Sequence, residues 1–136
     1  MNHMFEWKKE FSVGIASIDG QHQNLFAIGR ELYAAMSAGQ GKEKVGRILE
    51  RLIQYASVHF AHEERLLQQC NYPAYEAHKK EHEALTKRVL AFQAEYNSGA
   101  VAMTIQVLQF MKNWLEHHIL EQDRAYAPCL AAKAQG

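Results

Sequence analysis

The chain has 136 residues, 48% hydrophobic and 22% charged, which is the size and balance of one globular domain that can bury a core without staples. Its 15 Lys+Arg and 15 Asp+Glu cancel, so no basic field exists to hold a phosphate backbone, and nucleic acid is excluded as a natural partner. Cys70 and Cys129 form no CxxC spacing and no secreted disulfide framework, so they read as free thiols of a reducing compartment, small apolar residues near helix ends, with a redox role as the alternative. The N-terminal stretch MNHMFEWKKEFSV shows neither an apolar signal region nor a cleavage site, and no apolar run approaches a membrane span. A cytoplasmic protein is the expectation.

From Met1 to Ile18 no clean helical period appears, and FSVGIASI reads as extended. This segment is expected to be an arm across the domain, with Phe5, Trp7 and Phe11 as its apolar contacts. The first helix is predicted over 19–38, with Asp19 as N-cap and Gly39 as stop. Leu25, Phe26, Ile28, Leu32, Tyr33 and Met36 follow helical spacing, and His22 lies in the first turn. A second helix is predicted over 42–70, where Val45, Ile48, Leu52, Tyr55, His59, Glu63 and Leu66 form one stripe, ending at CNYP. The third, over 74–96, carries His78, His82, Leu85, Val89, Phe92 and Tyr96. The fourth, over 101–122, carries Ile105, Leu108, Met111, Leu115 and His118. A short last helix is expected after Pro128. Four long amphipathic helices with short connections predict an all-α, up-down-up-down four-helix bundle in a single domain, 1–136, with an N-terminal arm.

In each helix the stripe that carries Leu, Val and Ile also carries histidine, so imidazoles point into the bundle. A buried polar group must be hydrogen-bonded, paired or bound to metal. One such histidine is ordinarily satisfied by a backbone carbonyl; four helices doing it at a similar depth call for a shared purpose. Residues four apart lie above one another on a helix face, so His78 and His82 can reach one ion, and His59 and Glu63 can share a site. His22 and His118 add ligands from the first and fourth helices. Five imidazoles and a carboxylate exceed a four-ligand zinc site, so two ions with bridging carboxylates fit better. Imidazole with carboxylate suits iron, with zinc and copper as competitors.

The residues H in DGQH, HxxxE in HFAHE, HxxxH in HKKEH and HxxxxD in HILEQD stand in order on four successive helices. In this the sequence resembles the hemerythrin family, and within it the single-domain bacterial members, the bacteriohemerythrins. The resemblance runs from VGIASIDGQHQNLF to WLEHHILEQD, nearly the whole chain. Myohemerythrin, a relative, is itself a standard four-helix bundle, so the fold and family expectations are not independent. The resemblance implies a non-haem di-iron centre with an oxo or hydroxo bridge. His78, His82 and His118 would fill one iron, His22 and His59 would hold the other with one position open, and Glu63 and Asp123 would bridge. Asp123 follows His118 by five residues, which on an ideal helix turns it well off that direction; only the family pattern selects it over Glu121.

His3 in the arm is expected to be solvated, and His117 to point away from the site. His62, three residues after His59, is not excluded by angle and is read as solvent-facing or as an outer partner of the ligands. Glu64 and Glu81 read as surface charge. Ile119, Leu115, Trp114, Leu25 and Phe60 are candidates for a dry apolar shell, or for plain core packing.

The resemblance implies reversible O2 binding at the open position, for storage, transport or delivery to an oxygen-consuming enzyme through transient contact, by a monomer that is not itself an enzyme. The sequence shows no Ser/His/Asp or Cys/His arrangement and no glycine-rich phosphate loop. Two rivals stay open: a di-iron redox enzyme handling peroxide or nitric oxide, and an oxygen sensor acting through a separate partner. Ferritin-like oxidases use Glu-x-x-His, and ExxH is absent here.

Overall fold

The computed structural model describes residues 5–135, apart from the side chains of residues 122 and 132–135; His3 lies outside them. A 3₁₀ turn, Lys9–Phe11, is followed by helices α1 (Ala16–Ser37), α2 (Lys42–Gln69), α3 (Tyr75–Ser98) and α4 (Ile105–His117). A π-helical turn, His118–Asp123, then leads directly into α5 (Arg124–Gln135). α1, α2, α3 and α4, joined by short connections, form the four-helix bundle; α5 continues the line of α4 and packs on α2. No helix among the described residues is long and apolar enough to cross a membrane.

The ends follow local chemistry. Gly39 stops α1 with φ +70°, and the N–H groups of Gly39 and Gln40 cap the carbonyls of Met36 and Ala35. Asn71 does the same for α2 at φ 57°, and the Tyr72 N–H closes back onto Leu67. α4 begins at Ile105, later than the predicted 101, because the Thr104 hydroxyl accepts the Val107 N–H at 3.2 Å. α1 begins three residues earlier than the sequence suggests. Asp19 is therefore not its N-cap; the Asp19 carboxylate instead accepts the Val13 N–H at 2.8 Å and the Ser12 hydroxyl, holding the incoming turn. The last helix does not wait for Pro128, which lies inside α5 near its start.

The arm packs as expected. Phe5 and Phe11 are buried, with Phe26 of α1 edge-on to both. Phe5 lies over Gly29, where a Cβ would stand 2.6 Å from its ring, and Arg30 donates to its carbonyl at 2.8 Å. The core falls into two parts. The larger gathers Phe26, Leu32, Leu49, Tyr96 and Leu108 with the arm; the smaller gathers Val13, Ile18, Leu67, Tyr126 and Leu130. Between them runs a band of buried polar side chains.

The free-thiol expectation is overturned: Cys70 and Cys129 form a disulfide, with Cα atoms 5.9 Å apart, tying the end of α2 to α5. The sequence hid this pair because 59 residues separate the cysteines, and only the docking of α5 onto α2 brings them together.

Candidate metal centre

The polar band consists of His22, His59, Glu63, His78, His82, His118 and Asp123, each at most 2% exposed. These are the seven residues singled out in the sequence. α1 supplies His22, α2 supplies His59 and Glu63 one turn apart, α3 supplies His78 and His82 one turn apart, and the π turn supplies His118 and Asp123. That turn resolves the difficulty with Asp123. Five α-helical steps would leave it about 140° from His118. A π turn closes over five residues instead, as the Arg124 N–H to Ile119 carbonyl bond shows, and brings Asp123 back over His118.

The geometry divides by oxygen atom. Glu63 Oε1 lies 2.6 Å from His78 Nε2 and 3.1 Å from His82 Nε2. Glu63 Oε2 lies 3.2 Å from His59 Nε2 and 3.7 Å from His22 Nε2. Asp123 Oδ1 lies 3.1 Å from His78 Nε2 and 3.0 Å from His118 Nε2, while Oδ2 lies 3.1 Å from His22 Nε2. Each carboxylate thus turns one oxygen to one group of imidazoles and the other to a second group. The donors fall into two sets able to hold a cation, Glu63–His78–His82–His118–Asp123 and His22–His59–Glu63–Asp123.

The donors fit metal better than they fit one another. Both Asp123 oxygens and His22 Nε2 have no hydrogen-bond partner despite their close neighbours, because they aim at common points rather than along N–H directions. Buried polar atoms left so are costly, and a cation at each point satisfies them together. His82 Nε2 and His118 Nε2, 3.1 Å apart, converge in the same way.

Outer partners fix the rings. The His59 Nδ1–H donates to Gln21 Oε1 at 2.7 Å and the His82 Nδ1–H to Glu64 Oε2 at 2.9 Å, which leaves each Nε2 bare toward the centre. Glu64 is therefore not surface charge. Glu81, also read that way, stands 3.7 Å from His118 Nδ1. The Tyr126 hydroxyl donates to Glu63 Oε2 at 2.9 Å, and its ring lies 5.5 Å from that of His78. Gln21, Glu64 and Tyr126 carry no periodic signal in the sequence; only the helix packing reveals them. His62 pairs with Ser17 at 3.2 Å and His117 with Glu121 at 2.7 Å, both outside the cluster.

Burial opposes every charge here, and the pairing decides the outcome. Burial lowers His22 and His78, but Asp123 and Glu63 outweigh it and raise both from 6.5 to about 9. For His59 burial wins, and its imidazole is held below the ordinary value. Burial would raise Glu63 and Asp123, yet the surrounding histidines hold both well below the usual carboxylate range.

Beside the imidazoles lies an apolar cavity of about 80 Å³, lined by Leu25, Leu52, Phe60, Val89, Trp114 and Leu115 among others. Phe60 stacks on His82 with centroids 3.9 Å apart, and Trp114 on His118 at 4.6 Å. Ile119 does not line this cavity; it is fully buried in the larger core cluster.

The hemerythrin HHE cation binding domain matches residues 13–130. A bacteriohemerythrin of Methylococcus capsulatus is 32% identical over 123 residues, covering 90% of this chain and 93% of that one. One of Clostridium acetobutylicum is 33% identical over 129 residues, covering 90% and 98%. A wild-type hemerythrin crystal structure superposes with a TM-score of 0.85 at 31% identity, covering 91% of this chain and 95% of the other. A four-helix bundle with a seven-residue His/Glu/Asp band across it, matched over most of its length in sequence and in structure, places the chain in the hemerythrin family.

Proposed function

We propose that the chain binds O2 reversibly at a non-haem di-iron centre held by His22, His59, Glu63, His78, His82, His118 and Asp123, as a carrier, store or donor of oxygen. The observation that carries this reading is the inequality of the two donor sets, five ligands against four, which share both carboxylates. The larger set, with His78, His82 and His118, would hold its ion with protein atoms at more positions. The smaller set, with His22 and His59, offers one protein donor fewer, so its ion would be the one with room for an outside ligand. When bound, the iron pair supplies that open position and the electrons O2 binding requires.

The residues of the chain do the rest. Glu63 and Asp123, each turning one oxygen to either group of imidazoles, would serve both ions. Gln21 and Glu64 hold His59 and His82 in the tautomer that presents Nε2. Leu25, Phe60, Trp114 and Leu115 make most of the adjoining cavity wall apolar, so water has few partners there. That dryness favours release of O2 over its consumption, which is why a carrier fits this site better than an oxidase.

The test is iron content followed by one absorption series. The protein, loaded with iron and reduced without air, is exposed to air and then purged with argon. Two irons per chain and a visible band that appears and vanishes are the expected result. A band that decays once and never returns, with steady uptake of O2, overturns the carrier reading in favour of an enzyme.

A further inference from the structure

The smaller core cluster ends in a chemical device that oxygen binding does not use. Cys70 closes α2 two turns after Glu63, and Cys129 lies one turn after Tyr126 on α5. Cys70 and Cys129 are half-buried, whereas Tyr126 is sealed completely. Tyr126 touches the centre twice, through its hydroxyl on Glu63 Oε2 and its ring beside His78. Tyr72, two residues beyond Cys70, packs edge-on against Tyr126 with centroids 6.3 Å apart. The disulfide therefore ties the helix that carries Tyr126 to the helix that carries Glu63, just outside the ligand sphere.

We propose that Cys70–Cys129 is a thiol–disulfide clasp that seats Tyr126 on the bridging carboxylate Glu63 and so sets how firmly the centre keeps its metal. The proposal rests on the di-iron reading above. Opening the clasp breaks the Sγ–Sγ bond. Two electrons and two protons come from a dithiol, whose own sulfurs close into a disulfide, and Cys70 and Cys129 become thiols. Closing it is the same exchange reversed, with a disulfide as the oxidant. In a reducing compartment such a pair stands open at rest and closes under oxidation. With the clasp open, α5 is held on α2 by side-chain packing alone, that of Tyr126 and Leu130 with Leu67, Tyr72 and their neighbours, and the Tyr126 bond to Glu63 loosens. Tyr126 is a positioning residue here: it acts on the metal through Glu63.

The experiment measures iron loss to a chelator from the loaded protein, beside thiol titration and far-ultraviolet circular dichroism. Protein purified in air and kept native should titrate no thiol. Y126F should lose iron about tenfold faster, the scale of effect typical of removing an outer partner of a metal ligand. C129S should also quicken loss, by up to a similar factor, with helix content unchanged. The decisive variant is C129S/Y126F. If the clasp works through Tyr126, the double variant loses iron no faster than Y126F alone. A mere staple would instead multiply the two effects. Should C129S fold poorly, wild-type protein held open by a dithiol replaces it in the same comparison. Two free thiols in the air-purified protein, unchanged loss in C129S, or multiplied effects in the double variant each overturn the proposal. Wild-type protein that retains no iron sinks the di-iron reading and the clasp with it; iron retained but indifferent to Cys129 sinks the clasp alone.

Discussion

A carboxylate sealed from water ordinarily keeps its proton, yet Glu63 is ionised because four imidazoles press their Nε2 atoms on its two oxygens. The same pairing determines how the metal-free protein responds to pH. His22 and His78 carry folded pKa values near 9 against 6.5 unfolded, so their contribution to stability is complete below pH 6.5 and is lost as pH rises through about 9. His59, held low by burial, acts in the opposite sense: its contribution is present above 6.5 and is lost below it, as pH falls through the lowered folded value. Glu63 and Asp123, both lowered, lose theirs only in acid. Two raised histidines against one lowered make the net slope negative above neutrality. The Tm of metal-free protein should therefore fall between pH 6.5 and 9, while loaded protein, in which metal would have displaced these protons to solvent, should stay nearly level. Thermal melts of both forms across that window decide it; a metal-free Tm that holds steady or rises with pH refutes this account of the cluster.

At the scale of elements, what the sequence disclosed and what it hid divide along one line. His59 with Glu63 and His78 with His82 were legible because α-helical geometry stacks residues four apart, and the structure keeps both pairs on regular helix. Asp123 was legible only through family likeness, because the turn that carries it is not α-helical. Asp19 was mistaken for a cap because its carboxylate serves the chain before the helix rather than the helix itself. Gln21, Glu64, Tyr126 and the disulfide are products of helix packing, where partners 18 to 63 residues apart meet without any local pattern. The π turn itself can be tested as one extra residue absorbed into a helix. Deleting the exposed Glu121 leaves the aspartate four residues after His118, on the same face of an ordinary α-helix, so the variant should still bind two metal ions per chain. Deleting the exposed Asn113 inside α4 instead rotates Leu108 and Met111 about 100° against the site, and should destroy folding or binding. Metal stoichiometry and helix content on the two deletions check this, and loss of metal in the Glu121 deletion alone counts against it.

Across the whole molecule the metal band separates two apolar clusters that touch different parts of the chain. The larger holds the arm with Phe26, Leu32, Leu49 and Leu108; the smaller holds Ile18, Leu67, Tyr126 and Leu130. The candidate ligands from α1, α2, α3 and the π turn meet between them, so ions held there would join elements that the smaller cluster alone holds weakly. Without metal, the unpartnered atoms of His22, His78, His118 and Asp123 remain in the interior, and each such atom costs about 1–3 kcal/mol if it stays dry. Protons on His22 and His78 and entering water recover part of this, leaving a net loss of several kcal/mol on metal removal. For a domain of this size that corresponds to a fall in Tm of roughly 10–20 °C. The loss should not be spread evenly. Hydrogen exchange on metal-free protein should quicken first in α5 and the last turns of α2. Amides around Leu32, Leu49 and Leu108 should keep protection close to that of the loaded form, because their contacts are apolar and do not involve the site. Exchange that rises equally in both halves would mean that the two clusters open as one cooperative unit, and that the metal supports the larger core as much as the smaller.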